Sequence, residues 1–134
     1  MIQTVEEAIT VLEQPIGASI AREDAIHFLR NHPSDEGAER LVAALSDDDA
    51  GVRWAAAQAL IDYGEQALRP LLRALTQRAG DYNLREGAHH VLHENPNAAI
   101  RQQAAELIKA LRGPGADVAT MQVASKLSLR LPKD

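Results

Sequence analysis

The chain has 134 residues, a formal net charge of -5, 46% apolar content, only 3% aromatic content and no cysteine. That length supports one domain with a real core. The acidic balance excludes a general phosphate-backbone binder, and the missing cysteines exclude disulfides, thiolate catalysis and cysteine-ligated zinc. No apolar run reaches membrane-spanning length, and the opening MIQTVEEAIT lacks the basic-then-apolar order of a signal segment. The expectation is a cytoplasmic protein whose partner is neither nucleic acid nor membrane.

In chain order, Thr4 is placed to cap a first helix running to about Glu13, with Glu7 three residues on as in a capping box. Pro15 and Gly17 break the chain. Ser19 opens a second helix to about Asn31, and Pro33 ends it. A third spans roughly Asp35 to Leu45. The fourth is the clearest: Asp49 stands at an N-cap position, Val52, Ala56, Ala59, Leu60 and Tyr63 form one apolar stripe, and Gly64 follows. A fifth, about Glu65 to Gln77, contains Pro70, which belongs either near the first turn or at a bend. Asp81 repeats the place of Asp49, and a sixth helix runs from about Asn83 to Glu94. Asn95-Pro96 stops it. A seventh covers Asn97 to Leu111. After Gly113-Pro114-Gly115 comes a last helix, about Ala116 to Leu129. Period-two alternation never persists, so no strand is expected.

Arg22-x-x-Ala25-x-x-x-Leu29, Arg53-x-x-Ala56-x-x-x-Leu60 and Arg85-x-x-Ala88-x-x-x-Leu92 recur about every thirty-one residues. Such a period means stacked hairpins that bury their apolar sides only against neighbours. The fragment Asp49-x-x-Val52-Arg53-x-x-Ala56-Ala57-x-Ala59-Leu60 resembles the second helix of a HEAT repeat, closest to the short variety of the phycocyanobilin-lyase-type group. The resemblance implies an all-α, right-handed α-solenoid of about four hairpins, at about 3–31, 35–64, 65–95 and 97–130, with the second helices lining a concave side. One ambiguity concerns Asn97-x-x-Ile100-Arg101-x-x-Ala104-Ala105, which also matches the second-helix pattern only sixteen residues after Arg85. Either the seventh helix imitates the pattern as a first helix, or the pairing slips there. The first option is favoured, because a further helix can follow Gly115.

Candidate chemistry is sparse. The repeated arginines could line an anion ladder, but the expected role is a brace from each helix start to loop carbonyls or to aspartates such as Asp48 or Asp81. Glu86, His89 and His93 share one helix face and form the only metal-like arrangement. HEAT-like di-iron hydroxylases place His-Glu dipeptides at helix starts, where this chain has Arg22-Glu23, Arg53-Trp54 and Arg85-Glu86, so no metal and no cofactor are expected. Asp47-Asp48-Asp49 lacks the spaced ligands of a calcium loop and reads as capping and solvated turn. No serine elbow or phosphate loop exists.

Stacking equivalent positions puts Glu23, Trp54 and Glu86 in one row, His27, Gln58 and His90 in the next, and Arg30, Ile61 and His93 beyond. By the family geometry these rows line the concave side. Trp54 is then either an anchor for a protein or peptide partner bearing basic and apolar residues, or a space-filler lying over Ala57. The expected function is a non-enzymatic interaction scaffold with Glu23, His27, Trp54, Gln58, Ile61, Glu86 and His90 at the partner face. Two alternatives remain: a tetrapyrrole lyase or lyase-like chaperone, implied by the subgroup resemblance alone, and a metal-dependent enzyme built on Glu86, His89 and His93.

Overall fold

The computed structural model describes residues 2–14 and 19–131. The expected break at Pro15 and Gly17 lies outside those residues. Every regular element described is helical: α1 (Val5–Leu12), α2 (Ser19–Asn31), α3 (Asp35–Ala44), α4 (Ala50–Tyr63), α5 (Leu68–Gln77), α6 (Tyr82–His93), α7 (Ala98–Gln103), α8 (Ala105–Arg112) and α9 (Ala116–Arg130). None of them is long and apolar enough to cross a membrane.

Polar side chains at the helix starts set the boundaries. The Thr4 hydroxyl accepts the Glu7 amide at 3.1 Å, and Glu7 reaches back to the Gln3 amide at 3.4 Å, so the box closes one residue earlier than expected. Ser34 accepts from the Gly37 amide, Asp49 from Gly51 and Val52, Asp81 from Leu84 and Asn97 from Ala99. Gly64, with φ of 59°, ends α4 in the left-handed region. A 3₁₀ turn (Gly64–Ala67) then leads into α5, which puts Pro70 in the first helical turn, where its missing N–H leaves no intrahelical bond unmade.

The helices form two rows. In one, α2, α4, α6 and α8 each pack on the next; in the other, α1, α3, α5 and α9 do the same. Between the rows lies a single core of alanine and leucine, in which Leu29, Leu41, Leu60, Leu71, Leu75, Leu84 and Leu107 are fully buried. The small residues let the rows approach closely. At Gly87 an added Cβ would stand 2.9 Å from Leu45 Cδ2 and 3.3 Å from its Cβ and Cγ, so α6 lies directly on the end of α3.

The seventh helix departs from the favoured expectation in two respects. It takes a second-row position, because α8 packs against α6, while α9 fills the first-row place beside α5. Leu68 and Leu72 of α5, Leu92 of α6, Leu107 of α8 and Leu127 of α9 converge there. The slip therefore is real, and the second-helix pattern at Asn97 marked a true second-row helix. It is also not continuous: at Ala104 ψ opens to 5°, dividing α7 from α8.

Two substitutions test this packing. Leu60 has no exposed surface, and Leu60→Ala should lower stability by about 2–5 kcal/mol in denaturant unfolding; a loss below about 1 kcal/mol would place Leu60 outside the core. Gly87→Ala should destabilise by about 1–3 kcal/mol although alanine favours helix by about 1 kcal/mol, because Leu45 must be displaced as a whole. A gain in melting temperature would show that the two rows can separate there without cost.

Candidate functional site

The helices α4, α6 and α7 each begin at a tied corner. Arg53 donates to the carbonyls of Asp47 at 2.6 Å and Asp48 at 3.1 Å, Arg85 to that of Ala79 at 2.6 Å, and Arg101 to that of Asn95 at 2.5 Å. Arg22 donates to the Leu12 carbonyl and pairs with the Asp47 carboxylate of the next corner. The guanidinium groups are thus engaged as braces, with carbonyls as the main acceptors. Asp81 receives Ser46 and Arg78, not Arg85. Asp47 to Asp49 form a corner held by Arg22, Arg53 and Ser19, whose hydroxyl donates to Asp49 at 2.5 Å. That bond, together with the Val52 and Gly51 amides and nearby Arg22, holds the Asp49 carboxyl below its ordinary value. Asp81 is also lowered: burial works against its charge, but bonds from Ser46 and the Leu84 amide outweigh it.

With these starts fixed, α4 carries Trp54 between α2 and α6. Trp54 is 60% exposed. Its ring lies 4.8 Å from that of His90 at a tilt of 43°, and the His90 Nε2 contacts the Gln58 amide nitrogen at 2.9 Å. Trp54, Gln58 and His90 are therefore brought together. His90 supports the indole on one side, and more than half of the residue is exposed.

The other expected residues have different surroundings. Glu86 is engaged by Arg112 of α8 through two bonds, at 3.1 and 3.2 Å, so it is not a free carboxylate beside Trp54. That pair follows from the slipped position of α8, which the repeat pattern of α2, α4 and α6 alone does not reveal. Glu23 lies over the start of α4, where a Cβ at Gly51 would be 3.3 Å from its Oε1. Ile61 is half-buried and packs on the core. His27 contacts Asn31 at 3.2 Å and borders a groove between α1 and α2. Arg30 pairs with Asp62 at 2.5 Å, bridging α2 and α4.

His89 and His93 stack with centroids 5.2 Å apart, and His93 approaches Glu94 at 3.4 Å. Among the described residues, no three or more histidine or carboxylate side chains converge as a ligand set. Partial burial pushes His89 below the ordinary imidazole value of 6.5; Arg112, His93 and His90 act in the same direction, and Glu86 opposes them. A lowered imidazole binds protons more readily in the unfolded chain. Stability therefore falls as pH drops below about 6.5. The melting temperature should decline between about pH 7.5 and about pH 5.5 (about one unit either side of that value), and His89→Gln should flatten the decline. An identical slope in the variant would show that His89 does not sense the fold.

The family model for HEAT repeats matches residues 17–92, which takes in α2 to α6 and the three regularly spaced arginines. No curated protein and no solved structure matches the chain. With more than half its length covered by that match, and with paired helices whose second members start at arginine-braced corners, the chain belongs to the HEAT-repeat family.

Proposed function

We propose that the protein is a non-enzymatic interaction scaffold that binds a protein or peptide at Trp54. In this reading the two rows form a short right-handed superhelix of four hairpins, with the second row lining the concave side. HEAT repeats in general build protein-interaction scaffolds, and stacked repeats offer extended concave surfaces for that purpose. The observation that carries the reading is the exposed indole of Trp54, supported by His90 and flanked by Gln58. A large aromatic with one braced side and one open side is the composition of an interface anchor.

The charge preference rests on fewer groups than the sequence implied. With Glu86 engaged by Arg112, Glu23 is the carboxylate left to complement a partner cation, aided by the net charge of -5. The partner then presents an apolar residue beside basic ones, and association weakens with salt.

Trp54→Ala should weaken that partner about thirtyfold or more, equivalent to about 2 kcal/mol, while the helical circular dichroism is unchanged because more than half of Trp54 is exposed. A pull-down with intact protein against the variant identifies the partner, and titration measures the loss. A folded variant that binds normally would refute the reading. Absorbance after mixing with bilins separates it from tetrapyrrole binding; a shifted bilin spectrum would favour that alternative.

A further inference from the structure

A second surface lies away from Trp54, at the end of the rows formed by α1 and α2. Elsewhere in the rows each pair is covered by the next; α4 lies on α2 and α3 lies on α1. The opposite side of α1 and α2 has no such cover among the described residues. It holds a groove of about 830 Å³ lined by residues of this segment alone, with Ile2, Val11, Ala21 and Phe28 as its apolar floor and Glu6 and Asp24 at its rim. Ile2, Val11 and Phe28 are partly buried and continuous with the core. A repeat face left to solvent is ordinarily polar, and an apolar floor that no described residue covers is a surface for another helix.

The rim decides what kind. Glu7 is engaged by the Gln3 amide, whereas the exposed Glu6 and Asp24 carboxylates have no ion-pair partner among the described residues. With a length of 13 residues, α2 offers about 20 Å of wall, enough for three turns of a docked helix with apolar side chains at i, i+3/i+4 and i+7. We propose that the groove between α1 and α2 docks a cationic amphipathic helix of a partner protein, its apolar stripe on Ile2, Val11, Ala21 and Phe28 and its basic flanks on Glu6 and Asp24. A second copy of this chain is the less favourable occupant, because two molecules of net charge -5 repel. This surface is independent of the Trp54 reading and extends the interaction function to a second site.

The test uses the full chain and a fluorescein-labelled 16-residue peptide of leucine, alanine and lysine, with leucines on one helical stripe and lysines beside it. Anisotropy should saturate with Kd on the order of 10 μM at low salt. The Glu6→Gln/Asp24→Lys double variant, altered only at exposed positions, should remain folded by circular dichroism and bind about tenfold or more weakly. A peptide with glutamate in place of lysine should not bind, and Trp54→Ala should bind the lysine peptide as the parent does. Failure to saturate would overturn the proposal. Unchanged affinity in the double variant, or loss in Trp54→Ala, would do the same by moving the peptide to another surface. Sedimentation showing concentration-dependent self-association, abolished by the double variant, would assign the groove to a second copy instead.

Discussion

The structure depends on the corners that precede α4, α6 and α7. A loop entering a packed helix carries backbone carbonyls and amides that lose water as the rows close, and each needs a partner. Here the helix supplies one from its own first turn. The arginine donates back to a carbonyl six residues earlier, at Asp47, Ala79 and Asn95, while an aspartate or asparagine caps the free amides. The same groups join neighbouring pairs. Ser19 binds Asp49, Ser46 binds Asp81 and Arg22 binds Asp47, so fixing one corner fixes the orientation of the next.

Function is positioned by the same device. Trp54 follows Arg53 directly, so the brace that holds the arginine stem inward directs the next side chain outward. At the equivalent places stand Glu23, Glu86 and Gln102, and the repeat thus varies its exposed row without altering its frame. What surrounds Trp54 is then decided between pairs. His90 comes from α6, and Arg112 neutralises Glu86 only because α8 lies beside α6.

Local signals were readable in the sequence wherever one residue and its near neighbours decide the outcome. Thr4, Asp49 and Asp81 cap the helices they were expected to cap, and the Arg-x-x-Ala spacing identified the braced helices. The order of the last pair was not readable with the same ease. Its pattern is present at Arg101, but a helix after Gly115 is compatible with either order, so that feature does not choose between them. The parallel between Asp47-Asp48-Asp49 and Asn95-Pro96-Asn97 was the missed signal. In both, the first side chain accepts the amide of the third at 2.9 Å, and its carbonyl accepts the arginine. Pairings such as Arg112 with Glu86 depend on which helices become neighbours, and helical periodicity carries no information on that.

The central claim is that one corner, repeated, sets the register of the second row, including α7 and α8. Asn95 tests it most directly, since the residue is only 3% exposed and its side chain accepts the Asn97 amide at 2.9 Å. Denaturant unfolding of Asn95→Ala should show a loss of about 1–3 kcal/mol, the cost of removing a buried side chain that accepts the partly buried Asn97 amide, together with increased hydrogen exchange in α7 and α8. A loss below about 0.5 kcal/mol, with exchange in α7 and α8 unchanged, would contradict it.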